Sequence, residues 1–200
     1  MLRLPILCLV LLVSASASAA SYVDAPALGR STVGFSVLGG TPVGRAEADD
    51  RASVLGGGGS ELTWGYAWES GFSLAGAFGA ARWSSRGPLA QTLRDRDASI
   101  TEGWAGLSFR HALADADVAP FWGGALVLDA ARVSGARSGS ASGLAAAARV
   151  GLRWRDHPWD LFGAVEVRRA WLSAPYDEAD RLAFTRLSVV IGVALEGPVR

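Results

Sequence analysis

The run Glu61 to Glu69, E-L-T-W-G-Y-A-W-E, alternates without a break. Leu62, Trp64, Tyr66 and Trp68 fall on one side; Glu61, Thr63, Gly65, Ala67 and Glu69 fall on the other. Successive side chains of a strand point to opposite faces, so strict period two predicts a strand with two different environments. Leu144 to Arg155 repeats the pattern. There Leu144, Ala146, Ala148, Val150, Leu152 and Trp154 oppose Ala145, Ala147, Arg149, Gly151, Arg153 and Arg155. Between Ala183 and Glu196, Leu187, Val189, Ile191, Val193 and Leu195 oppose Arg186, Ser188, Val190, Gly192, Ala194 and Glu196. In each run the bulky apolar residues share a face, and charge shares the other with small residues.

Weaker alternation fills Ser31 to Thr41, Gly71 to Trp83, Ala98 to His111, Val118 to Val133 and Trp159 to Leu172, which makes eight predicted strands. Phe72, Leu74 and Phe78 share a face in the second of these, as do Trp122, Leu126 and Leu128 in the fourth. Several runs reach about 10 to 14 residues, longer than strands of soluble sheets and close to what a tilted strand needs to cross a bilayer. Trp83 and Trp104 interrupt the apolar parity and are read as bulges or rim positions.

The connections alternate in length. Glu69-Ser70-Gly71, Ala112 to Asp117 and Arg155 to Pro158 are tight; Pro42 to Arg51, Ser84 to Asp97, Ser134 to Ser142 and Ser173 to Arg181 are longer and polar. Short turns at one end and long loops at the other are the pattern of an outer-membrane barrel, with turns periplasmic and loops outside the cell.

Hydrophobicity is high, at 50% of residues, yet after residue 20 no apolar stretch could span a bilayer as a helix. The 25 glycines weigh against long helices and suit strands with little room on one side. The N-terminus has its own logic. Arg3, the apolar Leu4 to Val13 and the small residues Ala15 to Ala20 predict a secretory signal over residues 1 to 20, cleaved after Ala19 or Ala20. Residues 21 to 200 then form one domain. Cys8 lies inside that signal without the small residues that precede a lipoprotein cysteine, so the exported chain is expected to lack disulfides and thiolate metal sites. Basic residues are all Arg, and net charge is zero, which argues against a nucleic-acid partner.

Alternation alone does not separate lipid from water. Three features favour lipid. Charges lie deep in the strands (Glu102, Arg149, Arg153, Glu166, Arg168, Arg186) and are expected to form an interior network, since a lone buried charge is costly. In a soluble barrel, Trp64, Tyr66 and Trp68 of one strand would crowd a narrow core. Aromatic residues gather near the predicted turns (Trp68, Phe72, Phe109, Trp122, Trp154, Trp159), as in a membrane-interface girdle, with Trp171 and Phe184 assigned to the opposite one. Closing the sheet would also remove strand edges that otherwise aggregate.

On these strands and faces the chain resembles the small eight-stranded outer-membrane barrels, the OmpA-like and OmpX-like group. The resemblance is architectural and carries no diagnostic short motif. It implies an all-β, up-and-down antiparallel transmembrane barrel in the outer membrane, with both termini periplasmic and a lumen filled by side chains. Such barrels usually end on an aromatic residue; this chain ends Leu195-Glu196-Gly197-Pro198-Val199-Arg200, with Leu195 the candidate for that place.

Other chemistry has weaker support. Some barrels of this architecture resemble lipid A acylases or deacylases, but the two histidines, His111 and His157, fall at predicted turn ends and match no histidine-serine motif. They are read as solvated, and the chain as no enzyme. Two distant histidines make no recognisable metal set. Asp49-Asp50 and Asp177-Glu178-Asp180 are read as loop charge, and Arg86, Arg94 and Arg96 as a candidate contact for lipid phosphates. Gly56 to Gly59 opens a strand with no helix after it, so it is no phosphate loop. No cofactor is expected. The expected partner is outer-membrane lipid, with lipopolysaccharide a candidate. The expected function is a structural or interaction role with specificity in the extracellular loops; the rival is a narrow pore or lipocalin-like carrier for small apolar ligands.

Overall fold

A computed structural model describes residues 30–43, 56–68, 70–84, 99–134, 139–156, 158–173 and 181–197. The predicted signal segment, the acidic and arginine loop clusters (Asp49, Asp50, Arg86, Arg94, Arg96, Asp177, Glu178, Asp180), His157 and the last three residues lie outside the described residues.

Eight strands run β1 (Arg30–Val43), β2 (Gly56–Ala67), β3 (Phe72–Ser84), β4 (Ser99–Ala112), β5 (Val118–Ser134), β6 (Gly139–Asp156), β7 (Trp159–Ser173) and β8 (Arg181–Gly197). Each pairs antiparallel with the next, and β8 returns to β1, so the sheet closes into an up-and-down barrel. Closure satisfies every strand's ladder and leaves no edge. The alternation counted from Glu61 extends back to Gly56, where the strand opening was read, because Gly57 to Gly59 pair with Ala81 to Trp83 of β3. The loop expected to reach Ser142 likewise gives way at Gly139, where β6 resumes pairing with Val133.

The tight turns are held locally. Trp68 N–H donates to the Phe72 carbonyl (2.8 Å) and Gly71 N–H to the Trp68 carbonyl (3.0 Å). Gly71 sits at φ 78°, a conformation that costs glycine little and other residues more. Leu113 N–H donates to the Pro120 carbonyl (2.9 Å), which closes the turn before β5.

Period two runs unbroken around the barrel and divides the side chains by chemistry. Outward rows carry Val33, Leu62, Leu107, Leu126, Leu144, Val165 and Ile191; Leu126 and Ile191 are 61% and 62% exposed. Inward rows carry Glu61, Glu102, Asp129, Glu166, Arg168 and Arg186, all buried, with Arg186 at 0%. The bulge or rim reading of Trp83 and Trp104 is corrected. Both lie on unbroken register and point inward, fully buried, because counting from Glu102 or Ala81 puts them on the charged face. Phe184, assigned to an outer girdle, is also inside and buried, in parity with Arg186; Trp171 points outward.

Large rings fit a narrow lumen only where a neighbour gives up its side chain. A Cβ on Gly79 would run into the Trp104 ring and come within 2.5 Å of the Ser60 carbonyl oxygen. A Cβ on Gly163 would meet nothing within 4 Å. Gly79→Ala is therefore expected to cost about 1–3 kcal/mol through overpacking, while Gly163→Ala stays near neutral. Denaturant midpoints of the two folded variants check the difference.

The charged lumen as candidate functional site

Glu61 is the hub. It projects from the middle of β2 and accepts hydrogen bonds from Arg149 Nη2 (2.8 Å), Arg168 Nη2 (3.3 Å) and Trp104 Nε1 (2.8 Å). Arg149 Nε also donates to Glu166 Oε2 (2.5 Å), and Arg168 Nε lies 3.3 Å from Glu166 Oε1. Arg186 donates through Nη1 to Glu102 and through Nη2 to Glu166 Oε1 (2.7 Å). Five strands, β2, β4, β6, β7 and β8, thus tie three carboxylates to three guanidinium groups. Arg suits this work because its fixed fork engages two carboxylates at once without losing charge.

Rings complete the layer. The Arg168 guanidinium lies 4.3 Å from the Trp104 centroid, and Arg186 lies 4.9 Å from Trp104 and 5.3 Å from Trp83. Arg168 and Arg186 thus each lie over a π surface, an attraction that grows when water is excluded. Asp129 projects into the same layer from β5, directly opposite Trp104 in the β4–β5 register. It is 2% exposed, and neither carboxylate oxygen accepts a side-chain hydrogen bond among the described residues.

Toward the short turns the lumen changes character. Phe121 and Phe162 meet edge to face (centroids 6.1 Å, 89°), and the Arg110 guanidinium lies 5.6 and 5.1 Å from their centroids. Beyond this aromatic layer sits a second charge group. Arg110 Nη2 donates to Asp160 Oδ2 (2.5 Å), Arg155 Nη2 lies 3.5 Å from Glu196 Oε1, and Arg30 Nη1 lies 3.3 Å from Glu196 Oε2.

The six residues predicted for an interior network therefore separate. Glu102, Arg149, Glu166, Arg168 and Arg186 meet in the central layer; Arg153, beyond Gly151 and in register with Phe162, belongs to the turn-end group. Glu61, Asp129, Arg110, Asp160 and both inner tryptophans are participants that the sequence reading left out. Their parity was available: Glu61 shares its face with Thr63 and Gly65, and Asp160 shares Arg168's.

The six predicted interface aromatics all lie near the turn end. Trp68 packs on Phe72 (5.6 Å), Phe72 on Phe109 (6.3 Å) and Phe109 edge-on against Trp122 (5.5 Å). Trp154 and Trp159 are exposed on β6 and β7. His111 joins this outer cluster between Phe72 and Trp122, at 6.5 and 6.0 Å. Ser108 and Arg110 alternate with it and face inward, so those three side chains do not converge on one catalytic point.

No protein-family model and no curated protein matches the sequence. Solved structures to which the chain is similar include Ail, the attachment invasion locus protein of Yersinia pestis, in complex with the heparin analogue sucrose octasulfate. That likeness has 14% identity and a TM-score of 0.45, covering 83% of this chain and 99% of that one. The N-terminal β-barrel domain of Pseudomonas aeruginosa OprF gives 13% identity and a TM-score of 0.45, covering 84% and 98%. The outer membrane protease OmpT of Escherichia coli gives 8% and 0.41, covering 84% and 96%. The barrel assignment stands on the chain's own strand pairing.

Removing one member of a buried ion cluster strands the others. Glu61→Leu is expected to destabilise the barrel by about 3–5 kcal/mol, because Glu166 alone is then left to balance Arg149 and Arg168, besides Arg186. Arg30→Gln, at the half-exposed rim pair, should cost no more than about 1 kcal/mol. Equilibrium unfolding of both variants measures the contrast.

Proposed function

We propose that the chain is an integral β-barrel of the bacterial outer membrane with a structural or interaction role. It is made with a signal over residues 1 to 20, and its long loops carry whatever specificity it has. The observation that carries this reading is the inversion of the two faces: leucine, valine and tryptophan outside, paired arginine and glutamate inside. In water that arrangement would expose a continuous apolar surface far larger than soluble monomers tolerate. Against hydrocarbon it is favourable, since the outer face meets acyl chains and the closed sheet satisfies its own backbone.

The turn-end aromatics Trp68, Phe72, Phe109, Trp122, Trp154 and Trp159 suit the periplasmic interface, where amphipathic rings settle at headgroup level. The partner in this reading is outer-membrane lipid, with lipopolysaccharide in the leaflet nearest the loops. A lumen packed with ion pairs and tryptophan rings supports a filled barrel over a carrier for apolar ligands. His111, held between outer rings, gives no support to a catalytic role.

Extraction tests the assignment directly. The barrel is expected to require detergent and to shift its gel migration on boiling; free solubility of the folded chain in buffer would reject it. Leu126→Arg, which places a charge amid the outward apolar row, is expected to cost about 2–4 kcal/mol in lipid. Unfolding from bilayers of the variant and the parent chain gives that number.

A further inference from the structure

The turn-end charge group does not balance. Its buried part holds three guanidinium groups, Arg110, Arg153 and Arg155, and two carboxylates, Asp160 and Glu196. Arg110 takes Asp160; Arg155 takes Glu196, which the half-exposed Arg30 shares, and lies 3.6 Å from the exposed Asp115, so the rim residues Arg30 and Asp115 leave the imbalance unchanged. Arg153, only 4% exposed, is left without a hydrogen bond or ion pair among the described residues, and its Nε is buried without a partner. Asp160 Oδ1 and Arg155 Nε are buried without partners in the same group. Arg153 feels Asp160 and Glu196 only without direct contact, and a guanidinium taken out of water with no direct partner is costly, so a fold that keeps one here has a reason to bring in a countercharge.

The surroundings define what could enter. Phe121, Phe162 and the Arg110 guanidinium stacked over both close the group off from the central network, so it has no access to the Glu61 or Glu166 carboxylates. On the other side it is open: the Arg110 and Arg155 side chains are 19% and 26% exposed. The surplus is a single positive charge on a planar fork that fits an oxyanion in two parallel hydrogen bonds.

We infer that the turn-end mouth of the lumen is a binding site for one small monovalent anion of the carboxylate class, held by Arg153 with Arg155 and Arg110 around it. This goes beyond the membrane assignment and does not depend on it, because it rests on the barrel's interior alone. Asp160 is the internal competitor: its carboxylate lies in the same group and lowers the local positive potential. Substitution at Asp160 therefore acts in the opposite direction to substitution at Arg153.

The test uses the full barrel refolded in detergent, with folding verified by gel migration before and after boiling. Chloride quadrupolar NMR line broadening reports a bound small anion, and displacement by formate reports the carboxylate. The parent barrel is expected to broaden the chloride line, with formate reversing it. Arg153→Gln should weaken formate binding at least tenfold. Asp160→Asn should strengthen it several-fold. Should Arg153→Gln fail to fold, Asp160→Asn against the parent chain decides alone. Absence of formate-reversible broadening in the folded parent, or equal binding by parent and Arg153→Gln, or no gain in Asp160→Asn, would overturn the site and mean that water alone solvates Arg153. A barrel soluble without detergent would sink the membrane reading and leave these outcomes readable.

Discussion

Inside an eight-stranded barrel there is no room for bulk water, so a charge that points inward must find its countercharge on another strand. Much of this structure follows from that requirement. Glu61, Glu102 and Glu166 reach from β2, β4 and β7 to Arg149, Arg168 and Arg186 on β6, β7 and β8; apart from Arg168–Glu166, two residues apart on β7, every contact crosses the lumen or links neighbouring strands. Such clusters are not a cheap source of stability, since desolvation offsets much of the Coulomb attraction. Their stronger consequence is geometric. A one-residue slip of any strand would turn its charges outward and its leucines inward, so the ion layer and the apolar wall reinforce the same register.

The rings and glycines belong to the same constraint. Trp83, Trp104, Phe121, Phe162 and Phe184 fill space between the charges, and close neighbours lose their side chains to admit them, as Gly79 does for Trp104 and Gly192 for Phe162. Glycine costs backbone entropy in a strand, but in a narrow lumen it is what allows a tryptophan to lie flat against a guanidinium. The lumen is thus layered along its axis: a central ionic network roofed by tryptophans, an aromatic partition, and a turn-end ionic group facing solvent.

The fold was largely legible because period two is a local property of the chain. The faces of β2, β6 and β8 could be counted from their residues, and the short and long connections fixed which ends carry turns. The interior was legible only in part. Arg149, Glu166, Arg168 and Arg186 announce themselves as charges among apolar neighbours, but the expectation that large rings belong outside drew attention away from Trp83 and Trp104, whose parity puts them inside. Glu61 was overlooked at the edge of a run whose alternation was otherwise clear. The separation of Arg153 from the other five is a different kind of miss. It depends on how β6 and β7 stagger across the closed sheet, which sets Arg153 opposite Phe162 and Arg149 opposite Glu166, and no single strand contains that information.

Two-sidedness is the claim beneath all of this, and collision accessibility of spin labels tests it without disturbing the lumen. Nitroxides attached through cysteines substituted at the outward positions Val165, Val189 and Ile191, in barrels reconstituted in bilayers, should collide freely with oxygen, which concentrates in hydrocarbon, and scarcely with a water-soluble nickel complex. Labels there that instead collide with the nickel complex and are shielded from oxygen would mean that these faces meet water, and would contradict it.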